Sequence, residues 1–103
     1  MTTEPTVEEY VLLENRLKEA VALCEDLLSD EEAAHLQYYM RHDEIEMAYE
    51  GFCLSIFNNS SQIPKEAKLI LLPLGIDLGL DKESIYDPEF WHKAQTHFNV
   101  ANQ

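Results

Sequence analysis

Residues 6–28 read TVEEYVLLENRLKEAVALCEDLL, and their spacing decides the fold class. Tyr10, Leu13, Leu17, Val21, Cys24 and Leu28 recur at steps of three and four, while Glu8, Glu14, Lys18, Glu19 and Glu25 fill the other faces. That interval gathers the apolar residues into one stripe on a 3.6-residue helix. Thr6 with Glu9 three residues later has the spacing of a capping box, whose side chains satisfy the unpaired N–H groups of a first turn. The period alone predicts a helix of about six turns.

The same grammar continues outward. Ser29 and Glu32 repeat the capping-box spacing and open a shorter helix with Leu36, Tyr39 and Met40 on its apolar side. Asp43 and Glu46 give a third start signal, for a helix that buries Ile45, Ala48, Tyr49, Phe52 and Ile56 and ends at Asn58-Asn59-Ser60-Ser61. Pro64 suits the first position of a fourth helix carrying Ala67, Ile70, Leu71, Leu74 and Leu78. Pro73 inside it removes a backbone hydrogen bond and predicts a bend near Leu69. Gly79 suits its C-terminal cap. Asp87 and Pro88 begin a last helix with Phe90, Trp91, Ala94 and Phe98, and Ala101-Asn102-Gln103 is expected to fray. No period-2 alternation competes. The expectation is an all-α fold, a compact bundle of five helices forming one domain over residues 1–103.

Composition narrows the function. With 20 Asp and Glu against 7 Lys and Arg, the 103 residues carry a formal net charge of −13, yet 46% are hydrophobic, enough to bury a core. Such a field repels nucleic acid and anionic lipid and speeds encounter with a basic protein. Cys24 and Cys53 both fall in apolar helical patterns and read as buried free thiols. The acidic start MTTEPTVEEY does not read as a secretory signal, so none is expected, and no apolar run reaches the roughly 20 residues that span a bilayer. A soluble, cytoplasmic protein is expected.

Few arrangements suit catalysis or metal binding. Glu32-x-x-His35 and Glu89-x-x-His92 resemble half of a di-iron carboxylate signature. Both acids sit in helix first turns, where carboxylates complement the dipole, and the helices are too short for a metal core. His35, Tyr39 and His42 share one helix face, but no nucleophile accompanies them, and Cys24 lies on an apolar stripe where a thiol is inert. The glycines are isolated, so no phosphate loop forms, and no calcium-loop pattern is present. No catalytic residue, metal or cofactor is expected, and the chain does not read as an enzyme.

The acidic segment remains. Nine of the acids lie between Glu25 and Glu50, with Arg41 as the only Lys or Arg among them. Asp43, Glu46 and Glu50 form one stripe at helical steps, flanked by Glu44 and Met47, and Asp30, Glu31 and Glu32 form a second patch. An ordinary solvated face accounts for mixed charge better than for so one-sided a run. Tyr38, Tyr39 and Tyr49 add rigid aromatics with polar tips, the residue type favoured at interfaces.

His42-Asp43-Glu44-Ile45-Glu46-Met47-Ala48-Tyr49-Glu50 resembles the middle helix of the MafI-like family of small bacterial immunity proteins, which carries a Gly-Glu-aromatic-acid-aliphatic-Ala-aliphatic-Glu pattern. Glu44, Glu46, Ala48 and Glu50 match it, and Leu54, Ile63 and Leu74-Gly75-Ile76-Asp77-Leu78-Gly79-Leu80 echo the rest, so the likeness spans about Leu28 to Leu80. Asp43 and Ile45 depart from it, standing where the family favours glycine and an aromatic, and Pro73 interrupts the fourth helix. The resemblance implies a small helical protein that binds a cognate secreted or contact-delivered polymorphic toxin and neutralises it inside the producing cell. The toxin C-terminal domain is often a nuclease, such as an RNase. Such an enzyme holds phosphate with cationic side chains, which carboxylates can engage instead. Asp43, Glu44, Glu46 and Glu50 are then the central contacts, Tyr38 and Tyr39 the anchors, and Asp30, Glu31 and Glu32 the steering charges. The alternative is an acidic chaperone or adaptor that holds a basic client.

Overall fold

Helix α1 spans Val7–Leu23, and the Thr6 hydroxyl accepts the Glu9 N–H at 3.1 Å, as its spacing predicts. The structure, a computed structural model, describes residues 6–99; the N-terminal stretch 1–5 and the frayed end expected at Ala101-Asn102-Gln103 lie outside them. The apolar period continues to Leu28, but the α-helix does not. After Leu23 the chain makes a 3-10 turn over Glu25–Leu27, and Leu28 is extended (φ −104°, ψ 139°). The reason lies in the next residue. Ser29 leaves the helical region (φ −73°, ψ 165°) to cap α2, Asp30–Arg41. An N-cap residue needs such extended backbone to turn its side chain onto the first N–H groups. That capping box is complete: Ser29 Oγ accepts the Glu32 N–H at 3.1 Å, and Glu32 Oε1 accepts the Ser29 N–H at 2.9 Å.

Helix α3 spans Ile45–Ile56, and Asp43 does not start it. Asp43 stops α2 instead. Its φ is 56°, its N–H donates to the Met40 carbonyl at 3.4 Å, and the Glu44 N–H donates to the Tyr39 carbonyl at 3.0 Å. This is the Schellman arrangement, with aspartate in the left-handed position that glycine commonly takes. Glu44 stands at the α3 cap position without a side-chain hydrogen bond, so the start signal read at Asp43 and Glu46 is corrected. Past Ile56 a 3-10 segment, Phe57–Gln62, carries Asn59 out of helical geometry (φ −121°, ψ 35°), where the Asn and Ser cluster predicts the end.

Helix α4 spans Lys65–Asp77, with Pro64 at its cap and Pro73 inside an otherwise continuous helix. It ends in a second Schellman arrangement. Gly79 has φ 81°, its N–H donates to the Ile76 carbonyl, and the Leu80 N–H donates to the Gly75 carbonyl, both at 3.0 Å. Helix α5 spans Phe90–Phe98, and Asp87 helps to start it by accepting the Glu89 N–H at 2.9 Å. Among the described residues there are five α-helices and no strand, so the all-α reading holds.

Helix α1 packs on α4, α2 packs on α3, and α3 and α4 both pack on α5. The buried residues follow from that order: Leu17 and Ala20 of α1, Ile45, Tyr49, Phe52 and Ile56 of α3, Leu71 and Leu74 of α4, and Phe90, Ala94 and Phe98 of α5. Tyr49 joins two of these layers, its hydroxyl donating to the Leu71 carbonyl at 2.6 Å. A Cβ on Gly75 would meet both that hydroxyl and the Trp91 ring at 2.5 Å. Only glycine lets α4 approach α3 and α5 this closely. Helix α2 gives the core only Leu36 as a buried side chain and presents most of its surface outward.

Candidate functional site

The outward surface of α2 and its turn into α3 carry most of the residues that the sequence singles out. Asp30 and Glu31 are exposed in the first turn of α2, and Asp43, Glu44 and Glu46 are exposed at the turn and the start of α3. These are two patches, at opposite ends of α2. With a rise of about 1.5 Å per residue, the helix holds them roughly 18 Å apart along its axis. Arg41 is exposed beside the second patch.

Aromatic side chains fill the distance between the acids. Tyr38 is 58% exposed, meets Tyr39 edge to face with ring centroids 5.5 Å apart, and lies 4.4 Å from the His42 ring. Tyr39 is half-buried and His35 is exposed. Tyr49, the third tyrosine of this segment, is wholly buried and belongs to the core.

Two acids differ from the rest. Glu32 is half-buried, and its carboxylate accepts the Ser29 N–H, which holds it below the usual carboxylate range and keeps it ionised; the Ser55 hydroxyl lies beside it. Glu50 is fully buried, which corrects its reading as a surface contact. Its carboxylate turns away from solvent toward the segment between α4 and α5. There Oε1 accepts the Ile85 N–H at 2.8 Å, and Oε2 accepts those of Tyr86 at 2.6 Å and Asp87 at 3.0 Å. A buried carboxylate needs such partners, and these three come from donors 35 to 37 residues away.

By holding that segment, Glu50 places Tyr86 beside α2. Tyr86 lines a pocket of about 240 Å³ between α2 and α3, together with Glu32, His35, Tyr39, Phe52 and Ser55. Burial, together with the adjoining Tyr39 hydroxyl, raises the Tyr86 phenol well above its ordinary value, so it stays neutral. Gly51 lines the same pocket, and a Cβ built on it meets nothing within 4 Å. A glycine in mid-helix costs roughly 1 kcal/mol relative to alanine. Here no neighbour demands it.

Sequence reasoning missed Gly51, Ser55 and Tyr86. The one local signal was the glycine itself, interrupting an apolar helical pattern. Tyr86 carries no signal, because its position depends on a carboxylate in another helix.

Glu32 and His35 line the pocket, while Glu89 is exposed at the start of α5 and His92 is exposed in its first turn. Among the described residues no three His, Cys, Asp or Glu side chains are grouped to hold a metal ion, and no helix is long and apolar enough to cross a membrane. Both cysteines are buried free thiols, as their apolar setting predicts. No family model, no curated protein and no solved structure matches the chain.

Proposed function

We propose that this protein is an immunity protein, which binds a basic cognate toxin domain in the cytoplasm and neutralises it without doing chemistry of its own. One observation carries the reading: the acids at the α2–α3 turn, Asp43, Glu44 and Glu46, are all exposed, and Tyr38 stands exposed on the helix between them and Asp30 and Glu31. Exposed carboxylates clustered at one turn, beside an exposed tyrosine, suit a cationic surface: they attract it at long range, and the aromatic supplies contact area.

The backbone supports the family resemblance at position 43. The MafI-like pattern favours glycine there, and the chain adopts φ 56° at Asp43. That conformation is open to glycine without strain. A nuclease is the toxin class that fits best, since a cleft built for phosphate presents the Lys and Arg that carboxylates engage.

The test is association of the purified protein with the basic toxin domain encoded beside it, measured by stopped flow at several salt concentrations. Reversing Glu44 and Glu46 to lysine should slow association by on the order of tenfold and flatten its salt dependence. Unchanged rates in that variant would remove the acidic turn from the interface.

A further inference from the structure

Within that reading, and resting on it, the pocket between α2 and α3 has features that the acidic turn lacks. It is concave, whereas the turn is a run of exposed side chains. Its volume is about 240 Å³. An engineered cavity of roughly 150 Å³ takes one benzene, so this pocket has room for one large side chain. Gly51 lines it, and a Cβ at that position would enter open space, meeting nothing within 4 Å. Tyr86, 45% exposed, stands at this pocket with its backbone held by the buried Glu50 carboxylate.

The lining chemistry selects the occupant. Leu28, Met47 and Phe52 supply apolar surface for an aliphatic stem, Tyr39 and Tyr86 supply aromatic surface, and Glu32 supplies an anionic carboxylate near the N-terminal end of α2. No Lys or Arg lines the pocket, in a chain whose net charge is −13. A planar guanidinium on a hydrocarbon stem combines ring stacking with a charge-assisted bond to carboxylate, and an ammonium satisfies the pair less well.

We propose that this pocket seats one arginine side chain of the basic partner, with Gly51 keeping the floor clear, Tyr39 and Tyr86 flanking the guanidinium and Glu32 receiving it. The acidic turn then steers the partner, and the pocket fixes its register. Gly51 is thereby explained as a residue kept for the space above it at the expense of helix stability.

The experiment needs no toxin. The ¹⁵N-labelled protein is titrated with N-acetyl-arginine methylamide, with the lysine analogue and with the uncharged citrulline analogue, and amide shifts are followed. The arginine probe should move the amides of Gly51, Phe52, Ser55 and Tyr86 in one saturable transition. Its Kd should be lower than that of the lysine probe by roughly fivefold, and the citrulline probe should be weaker still. Gly51→Leu, which fills the floor, should abolish the transition while leaving the thermal midpoint equal or higher. Tyr86→Ala, which leaves α3 untouched, should weaken it by roughly threefold or more. Shifts confined to the Asp43–Glu46 turn, equal response to both cations, or an arginine response that survives Gly51→Leu and Tyr86→Ala would overturn the assignment. Such a failure leaves the salt-dependence test of the acidic turn standing. Failure of that test, in turn, leaves the pocket's response to a free guanidinium to be judged separately.

Discussion

The buried Glu50 carboxylate accepts the backbone N–H of Tyr86 at 2.6 Å, joining the middle of α3 to a segment of irregular backbone between α4 and α5. Ile85 and Asp87 donate to the same carboxylate, so one side chain satisfies three consecutive N–H groups that have no helix or strand to pair with. Glu50→Gln tests this. The amide keeps one acceptor oxygen and turns an NH₂ group toward a backbone donor, leaving at least one of these N–H groups without its carboxylate partner. Stability should fall by about 1.5–3 kcal/mol, the range for a lost hydrogen bond to a charged group. Hydrogen exchange at Ile85, Tyr86 and Asp87 should accelerate more than at core amides of α4. A variant with unaltered exchange at these three positions would refute the latch.

How far Glu50 was legible follows from geometry. Asp43, Glu46 and Glu50 share a helical stripe by spacing, but Glu50 also sits one turn from Cys53, which is buried. A carboxylate on such a boundary goes outward or inward according to what meets it, and its partners are more than thirty residues away in sequence. Signals confined to a few residues were readable: the Ser29 and Glu32 box, Gly79 at a helix end, Asp87 before α5. Asp43 misled because aspartate suits a helix start and also tolerates the left-handed backbone of a helix stop. The Tyr10 to Leu28 period overran α1 because periodicity records which residues are buried and not where the next cap must uncoil the chain. The pocket was illegible for the same reason as Glu50, since its walls come from three separate stretches.

Asp43 carries a conformational penalty at the α2 stop, where its φ is 56°. Left-handed backbone is unfavourable for a residue with a Cβ. Asp43→Gly should therefore stabilise the protein by about 0.5–1 kcal/mol, a rise in Tm of roughly 2–8 °C for a domain of this size. The same change removes an exposed carboxylate from the proposed interface and should slow association with a basic partner. A fall in Tm would mean that Asp43 makes a stabilising contact that outweighs its backbone strain.

Gly75 lies where Tyr49 and Trp91 converge on α4. Gly75→Ala places a methyl group 2.5 Å from the Tyr49 hydroxyl and the Trp91 ring, and the hydroxyl cannot retreat freely, because Tyr49 is fully buried and bonded to the Leu71 carbonyl. The gain in helix propensity of about 1 kcal/mol is opposed by an overpacking cost of about 1–3 kcal/mol. The net change should be destabilising, with Trp91 fluorescence altered. Tyr49→Phe alone should cost about 1 kcal/mol through the unpaired hydrogen bond, and in the double variant the two losses should not add, because both act on the same contact. Simple additivity in that cycle would contradict a shared contact.

The two thiols set an alkaline limit on stability. Burial pushes Cys24 up to about 11 and Cys53 well above its ordinary value, and burial likewise raises Tyr10, Tyr49 and Tyr86. These groups are neutral when protonated, so their contribution to stability is intact below their unfolded values. As pH rises past about 9 the unfolded chain releases protons that the native state retains, and stability is lost progressively through pH 11. The slope reaches at most about 1.4 kcal/mol per pH unit for each thiol. Urea midpoints measured at pH 8, 9, 10 and 11 should be nearly flat over the first interval and then decline. At pH 8 the native protein should react with a thiol reagent far more slowly than the urea-unfolded chain, because neither sulfur is exposed and neither is a thiolate. Rapid modification of either cysteine in the native state would place that sulfur at the surface and remove it from the packing that joins α1 to α3.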